Sequence, residues 1–231
     1  MTTTAPSSAT GALPVRRPSR PLPLVSGIAY SLSWLVGLFV FSSTTEVRSS
    51  GTQILRTYTG HQGTVVLQYV LTEGLPAVFL AVVTWSLARA ISERATTSRR
   101  LVLAGGLVAA AVSLVQLALG LWLSVGLVSD RDAGAAGAIF RSINRLDGVK
   151  MLLIAVIALV ATRAIRRRYV RLPNWLAYVA AALAVTITLS AIGYLALDNT
   201  FAMAAWVSLP CLLVFVTGTG IALSRRTAHR R

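Results

Sequence analysis

Long apolar runs alternate with short polar stretches along the whole chain. The runs fall at residues 24–43, 65–88, 101–128, 148–165, 174–197 and 200–223. A helix rises about 1.5 Å per residue, so about 20 apolar residues cross the ~30 Å hydrocarbon layer of a bilayer. The pattern predicts six such helices, an all-α, polytopic six-helix transmembrane bundle over residues 24–224. The fourth run is the shortest, with Lys150 near one end and Arg163 at the other. The fifth and sixth meet around Asp198 and Asn199, which predicts a tight helical hairpin. Residues 1–23 are rich in Thr, Ser, Pro and Arg and predict a disordered cytoplasmic tail, and residues 225–231 a basic cytoplasmic tail. The N-terminal stretch lacks a signal-type apolar core and cleavage site, so the first span is expected to stay as an uncleaved anchor.

Composition agrees with a membrane chain. Of 231 residues 55% are hydrophobic and 13% charged, and the mean hydropathy is +0.70. The formal charge of +15 would suit nucleic acid, but the 22 basic residues lie in clusters between the apolar runs, so no nucleic acid is expected and the partner is the lipid bilayer. With both termini in the cytoplasm, sixteen of the 22 fall inside. The outer segments hold Arg48, Arg56, Arg131, Arg141, Arg145 and Lys150, together with most of the acids. The orientation expected is therefore N- and C-termini cytoplasmic. Lys150 is the single lysine against 21 arginines, a ratio that fits GC-rich coding and a bacterial cytoplasmic membrane. None of this fixes an oligomeric state.

Several chemistries are excluded. Cys211 is the only cysteine, so no intramolecular disulfide or Cys-x-x-Cys pair exists. His61 and His229 are the only imidazoles, too few for a bis-His haem or a His-rich zinc site. No metal or cofactor is expected. The chain lacks a G-x-S-x-G elbow, a phosphate-cradling Gly-rich loop and an Asp-rich metal-diphosphate motif, and Asp130 and Asp132 stand too isolated to replace the last.

Glu73 is the residue with most to explain, because a carboxylate deep in the second span costs several kcal/mol unless it is paired or protonated. Gln62, Tyr69, Glu73 and Thr84 recur at helical spacing and predict a polar stripe facing the bundle interior, with Pro76 one turn deeper freeing a carbonyl and kinking the helix. Either Glu73 is a proton donor or it is interhelical glue, bonded to Gln116 of the third span. In FRSINRLDGVKM, Arg141, Asn144, Asp147 and Lys150 recur every three residues, so a helix there presents an ion-paired ridge with Lys150 reaching either the headgroups or a site. Thr186, Ser190, Tyr194 and Asp198 form a second stripe, in which Asp198 either caps the sixth helix or faces a cavity. The combined expectation is one cavity in the outer half of the bundle. Glu73, Asp147 and Asp198 are its candidate catalytic acids. Tyr69, Gln116, Lys150, Tyr194, Trp34, Trp206 and His61 are its candidate substrate contacts, and Tyr30 adds an aromatic wall.

The segments GHQGTVVLQYVLTEGLPA (60–77), NRLDGVKM (144–151) and VSLPCLLVFVTGTGIAL (207–223) resemble those of a group of small six-span membrane proteins from high-GC bacteria, a resemblance that covers nearly all the chain beyond the tail and implies no activity. In size and in its intramembrane acids the chain is also similar to the small integral-membrane terpene cyclases of meroterpenoid pathways, without a shared motif. That likeness implies acid-catalysed cyclisation or isomerisation of a lipophilic, prenyl-type small molecule. The alternatives are a small proton-linked transporter and a non-catalytic membrane partner or assembly protein.

Overall fold

In the computed structural model, which describes residues 22–41 and 45–229, with side chains as far as Arg225, every apolar run is helical and no strand occurs among the described residues. Six helices are long and apolar enough to cross a membrane: Leu22–Val40, Gln62–Ala90, Glu93–Asp130, Ala133–Arg166, Asn174–Ala196 and Asn199–Arg225. These are the first to sixth spans. Most of the expected disordered tail lies outside the described residues, but Leu22 and Pro23, assigned to it, already belong to the first helix. The expected basic tail continues the last helix through His229.

The second, third and fourth helices overrun their apolar runs at both ends, the fourth most of all. It starts at Ala133 rather than at 148, because the Asp132 carboxylate caps it, accepting from the Ala135 amide at 2.9 Å, and the Ala-rich stretch that follows favours helix without being apolar enough to mark a span. The segment before the second span contains the short helix Gly51–Tyr58. The Ser50 hydroxyl caps it by accepting from the Gln53 amide at 3.2 Å, and Gly51, Ile54 and Tyr58, spaced by three and four, form its buried face. A side chain at Gly51 would strike the Ala133 carbonyl and lie 2.9 Å from the Gly137 nitrogen, so this helix rests on the start of the fourth span.

Two apolar clusters fill the interior. One holds Leu87, Val102, Ala158, Leu176, Leu183 and Val216, towards the Arg-rich ends of the spans. The other holds Ile54, Tyr58, Val65, Leu123, Phe140 and Ile143, towards the opposite end. Lipid supplies no hydrophobic drive between helices, so small residues and interhelical hydrogen bonds bring the spans together. At the seam of the first and sixth spans the Thr217 hydroxyl donates to the Gly27 carbonyl at 2.9 Å and pairs with the Ser31 hydroxyl at 2.7 Å. A Cβ on Gly27 would lie 3.0 Å from the Val216 carbonyl oxygen.

Candidate functional site

The site is built on an irregularity in the second span. Over Val70–Gly74 the helix widens to the π form, and the Leu75 amide reaches back five residues to the Val70 carbonyl. Pro76 has no amide hydrogen to offer the next carbonyl in that register, Leu71, and the Ser33 hydroxyl of the first span donates to it instead at 2.5 Å. Gly37 allows this approach, since a Cβ there would lie 2.7 Å from the Thr72 methyl. The extra residue in the turn breaks the expected stripe. Tyr69 lies against Gly120 and faces Tyr58, and Glu73 turns towards the fourth span. Thr84 packs on Gly106 and donates to its own helix at the Leu80 carbonyl at 2.8 Å, while Gln62 is only half-buried.

Glu73 meets Lys150. The ammonium nitrogen lies 2.9 and 2.7 Å from the two carboxylate oxygens, and 2.7 Å from Asp147 Oδ1 on its own helix. The Asp147 contact has the distance of an ion pair but not the direction of a hydrogen bond, so Oδ1 keeps unused accepting capacity. The Ser113 hydroxyl of the third span faces Glu73. Glu73 and Lys150 are 7% and 6% exposed, and the Asp147 side chain 17%. Gly148 sets the geometry on the other side, since a Cβ there would lie 3.0 Å from the Ala191 carbonyl oxygen. The fourth and fifth spans therefore approach backbone to backbone, and Asp147 and Lys150 are presented towards the first and second. One ammonium between two carboxylates leaves a net negative charge if all three are ionised. An uncompensated charge is costly in a poorly polarisable interior, so one proton or one cation completes the cluster.

Above the cluster is a cavity of about 420 Å³. Asp147, Lys150, Ser113 and Thr72 supply polar lining, Tyr30, Trp34, Tyr194 and Trp206 aromatic lining, and Leu80, Ile154, Ile187 and Leu212 an apolar base. Glu73 is not part of the wall and reaches the cavity only through Lys150. Thr45, Glu46 and Asn199 form a polar rim, where the Asn199 amide bonds to the Glu46 carboxylate. The first and sixth spans, hydrogen-bonded to each other at their Gly27 and Thr217 ends, diverge here. Leu38, Met203 and Trp206 line the cavity and are also exposed on the outside of the bundle, Trp206 to 78%, which makes a lateral mouth. The Trp34 indole nitrogen has no partner among the described residues.

The structure thus gathers Asp147, Lys150, Tyr194, Trp34 and Trp206 in one cavity with Glu73 behind them, and corrects the other expectations. Asp198 is not in the cavity wall. It caps the turn Asn199–Ala202, accepting from the Thr200 and Phe201 amides at 2.8 and 3.4 Å, and lies 3.7 Å from Arg48. The two backbone amides, Phe201 first, hold its carboxyl below the usual range. His61 is exposed, its ring 5.8 Å from that of Phe41. Gln116 does not bond Glu73. Buried to 1% exposure, it donates to the Ile143 carbonyl at 3.1 Å. Tyr69 faces Tyr58 rather than the cavity. Lys150 does not reach for the headgroups, because two carboxylates hold it inside. Of the second stripe, Thr186 donates to the Ala182 carbonyl at 2.9 Å and Ser190 is fully buried, so only Tyr194 lines the cavity. Ser113 and Thr72 were missed, since a lone hydroxyl in an apolar run usually bonds its own helix and carries no signal.

No protein-family model, curated protein or solved structure matches the chain.

Proposed function

We propose that this multi-pass membrane protein is an enzyme for acid-catalysed isomerisation or cyclisation of a lipophilic, prenyl-type substrate. The observation that carries the reading is the pairing of Asp147 and Lys150 on the wall of an aromatic, lipid-facing cavity, with Glu73 behind them. Asp147 is the acid in this scheme, because it touches the space where substrate would lie. The proton that completes the cluster passes from the Asp147 carboxyl to a substrate double bond, forming a C–H bond and leaving a carbocation. The departing proton returns the cluster to a net negative charge facing that cation, with the Lys150 ammonium beside the new carboxylate. The faces of Tyr30, Trp34, Tyr194 and Trp206 supply further cation stabilisation. Loss of a proton from the rearranged cation to the same carboxylate closes the cycle, with no oxidant, reductant or cofactor consumed, and the carboxyl exchanges its proton with water through the cavity mouth between turnovers. Glu73 is a positioning residue that holds the ammonium beside Asp147.

The lateral mouth supports a substrate that arrives from the bilayer. The transporter alternative requires a path to the far end of the bundle, and below Ile154 and Leu212 that path is filled by Ala158, Leu183 and Val216. Membranes containing the protein are incubated with polyprenyl substrates in heavy water, beside membranes with Asp147→Asn. The expected product is an isomer of the substrate carrying one solvent deuteron per turnover, and the variant loses roughly 10²- to 10⁴-fold in rate. Turnover unchanged in Asp147→Asn overturns the assignment, and proton flux across sealed vesicles without product favours the transporter.

A further inference from the structure

At the other end of the bundle lies a second, larger cavity of about 1050 Å³, independent of the first. It is lined by Arg168, Arg171 and Arg225, by Trp175, and by apolar residues that include Ile221 and Ala222. None of the three guanidinium groups has a hydrogen bond or ion pair with a described residue. The loop that carries two of them is firmly held. Arg168 adopts a left-handed conformation, φ 55°, that ends the fourth span; the Tyr169 amide donates to the Ala164 carbonyl at 2.8 Å, and the Tyr169 carbonyl accepts from the Ser92 amide at 2.8 Å. Val170 and Leu172 are buried on either side of Arg171. The fifth span then begins at Asn174 with no side-chain cap, so its first amides add partial positive charge to the same space. Trp175 closes the wall against the sixth span at Gly218, where a Cβ would lie 2.7 Å from the indole.

We infer that this cavity binds the phosphodiester headgroup of an anionic phospholipid. Three exposed arginines without a partner among the described residues line one concave site, and guanidinium matches phosphate oxygens in charge and in hydrogen-bond geometry. The apolar strip of Ile221 and Ala222 beside an interfacial tryptophan continues the site into a surface for acyl chains, which a free phosphate would not use.

The test uses purified full-length protein in detergent, with thermal shift and native mass spectrometry as readouts. The lipid probes are phosphatidylglycerol and phosphatidylcholine of matched chains, with inorganic phosphate as a third arm. Phosphatidylglycerol is expected to bind the parent at least about tenfold more tightly than phosphatidylcholine. Each of Arg168→Gln, Arg171→Gln and Arg225→Gln is expected to weaken it about fivefold, while Arg94→Gln/Arg99→Gln/Arg100→Gln, altered outside the cavity, leaves it within about twofold. Equal binding of the two lipids by the parent overturns the inference without any variant. So does equal weakening by the control substitutions, which would mean diffuse charge attraction. Displacement of the lipid by inorganic phosphate at millimolar concentration overturns the lipid assignment in favour of a soluble phosphate ligand.

Discussion

Lys150 stands between two carboxylates, and the imbalance makes the three residues unequal in what their loss does. Replacing Lys150 by Met leaves Glu73 and Asp147 buried together without a cation, and the expected loss is about 3–5 kcal/mol, read from unfolding in mixed detergent. Replacing Glu73 by Gln instead leaves a neutral Asp147–Lys150 pair, so the expected cost is under about 1 kcal/mol although the two residues are buried alike. A larger loss for Glu73→Gln than for Lys150→Met would show that the cluster is not short of positive charge. Activity separates the acids differently. Asp147→Asn removes the group on the cavity wall, whereas Glu73→Gln is expected to shift the pH profile of turnover more than its maximum, because it acts only through the ammonium. The sequence marked these residues by cost and spacing: a carboxylate deep in an apolar run must find a partner, and Asp147 and Lys150 are three apart on one helix. Which partner Glu73 finds was not legible. It depends on the π turn at Val70–Gly74, which rotates the carboxyl away from Gln116, and a hydropathy pattern carries no record of one extra residue in a turn.

Among the elements, the helical runs were readable because lipid forces every spanning backbone group to bond within its own segment. Their ends were not, since helix continues past the apolar stretch wherever a cap or an Ala-rich sequence sustains it, as before the fourth span. The seam between the first and sixth spans is tight enough to test by bulk. Gly220 meets the Pro23 carbonyl with no room for a side chain, so Gly220→Leu is expected to cost about 1–3 kcal/mol in thermal unfolding, and an unchanged melting temperature would contradict that packing. The turn after the fifth span depends on pH. Asp198 is held below its usual range by the Phe201 and Thr200 amides, so its cap is intact above the unfolded value and is lost as pH falls through the lower, folded one. The protection of the Thr200 and Phe201 amides, measured against their intrinsic exchange rates, is therefore expected to fall only below about pH 4, and protection unchanged by acid would remove the cap.

For the molecule as a whole, the asymmetry of arginine along the chain predicts both termini in the cytoplasm. With Cys211 replaced by Ser, a single cysteine at Ser129 is expected to react with a membrane-impermeant maleimide added to intact cells. One at Ser98 is expected to react only after lysis, and the reverse pattern would invert the molecule. In the expected orientation the acid cavity opens towards the outer leaflet, and the arginine cavity meets the inner one.

The length of the fourth span has a further consequence. Asp147 and Arg163 are separated by sixteen residues of continuous helix, roughly 24 Å, and Glu73 and Arg89 by the same number along the second span. With the arginines anchored at one boundary of a hydrocarbon layer about 30 Å thick, the charged cluster lies only a few ångströms beneath the other. Under the proposed reaction, hydrophobic mismatch then acts directly on the chemistry. In bilayers of short acyl chains the cluster rises to the level of the headgroups, where water competes for its proton. In thick bilayers it is sealed under lipid, so the membrane's own thickness sets how dry the acid is when substrate arrives.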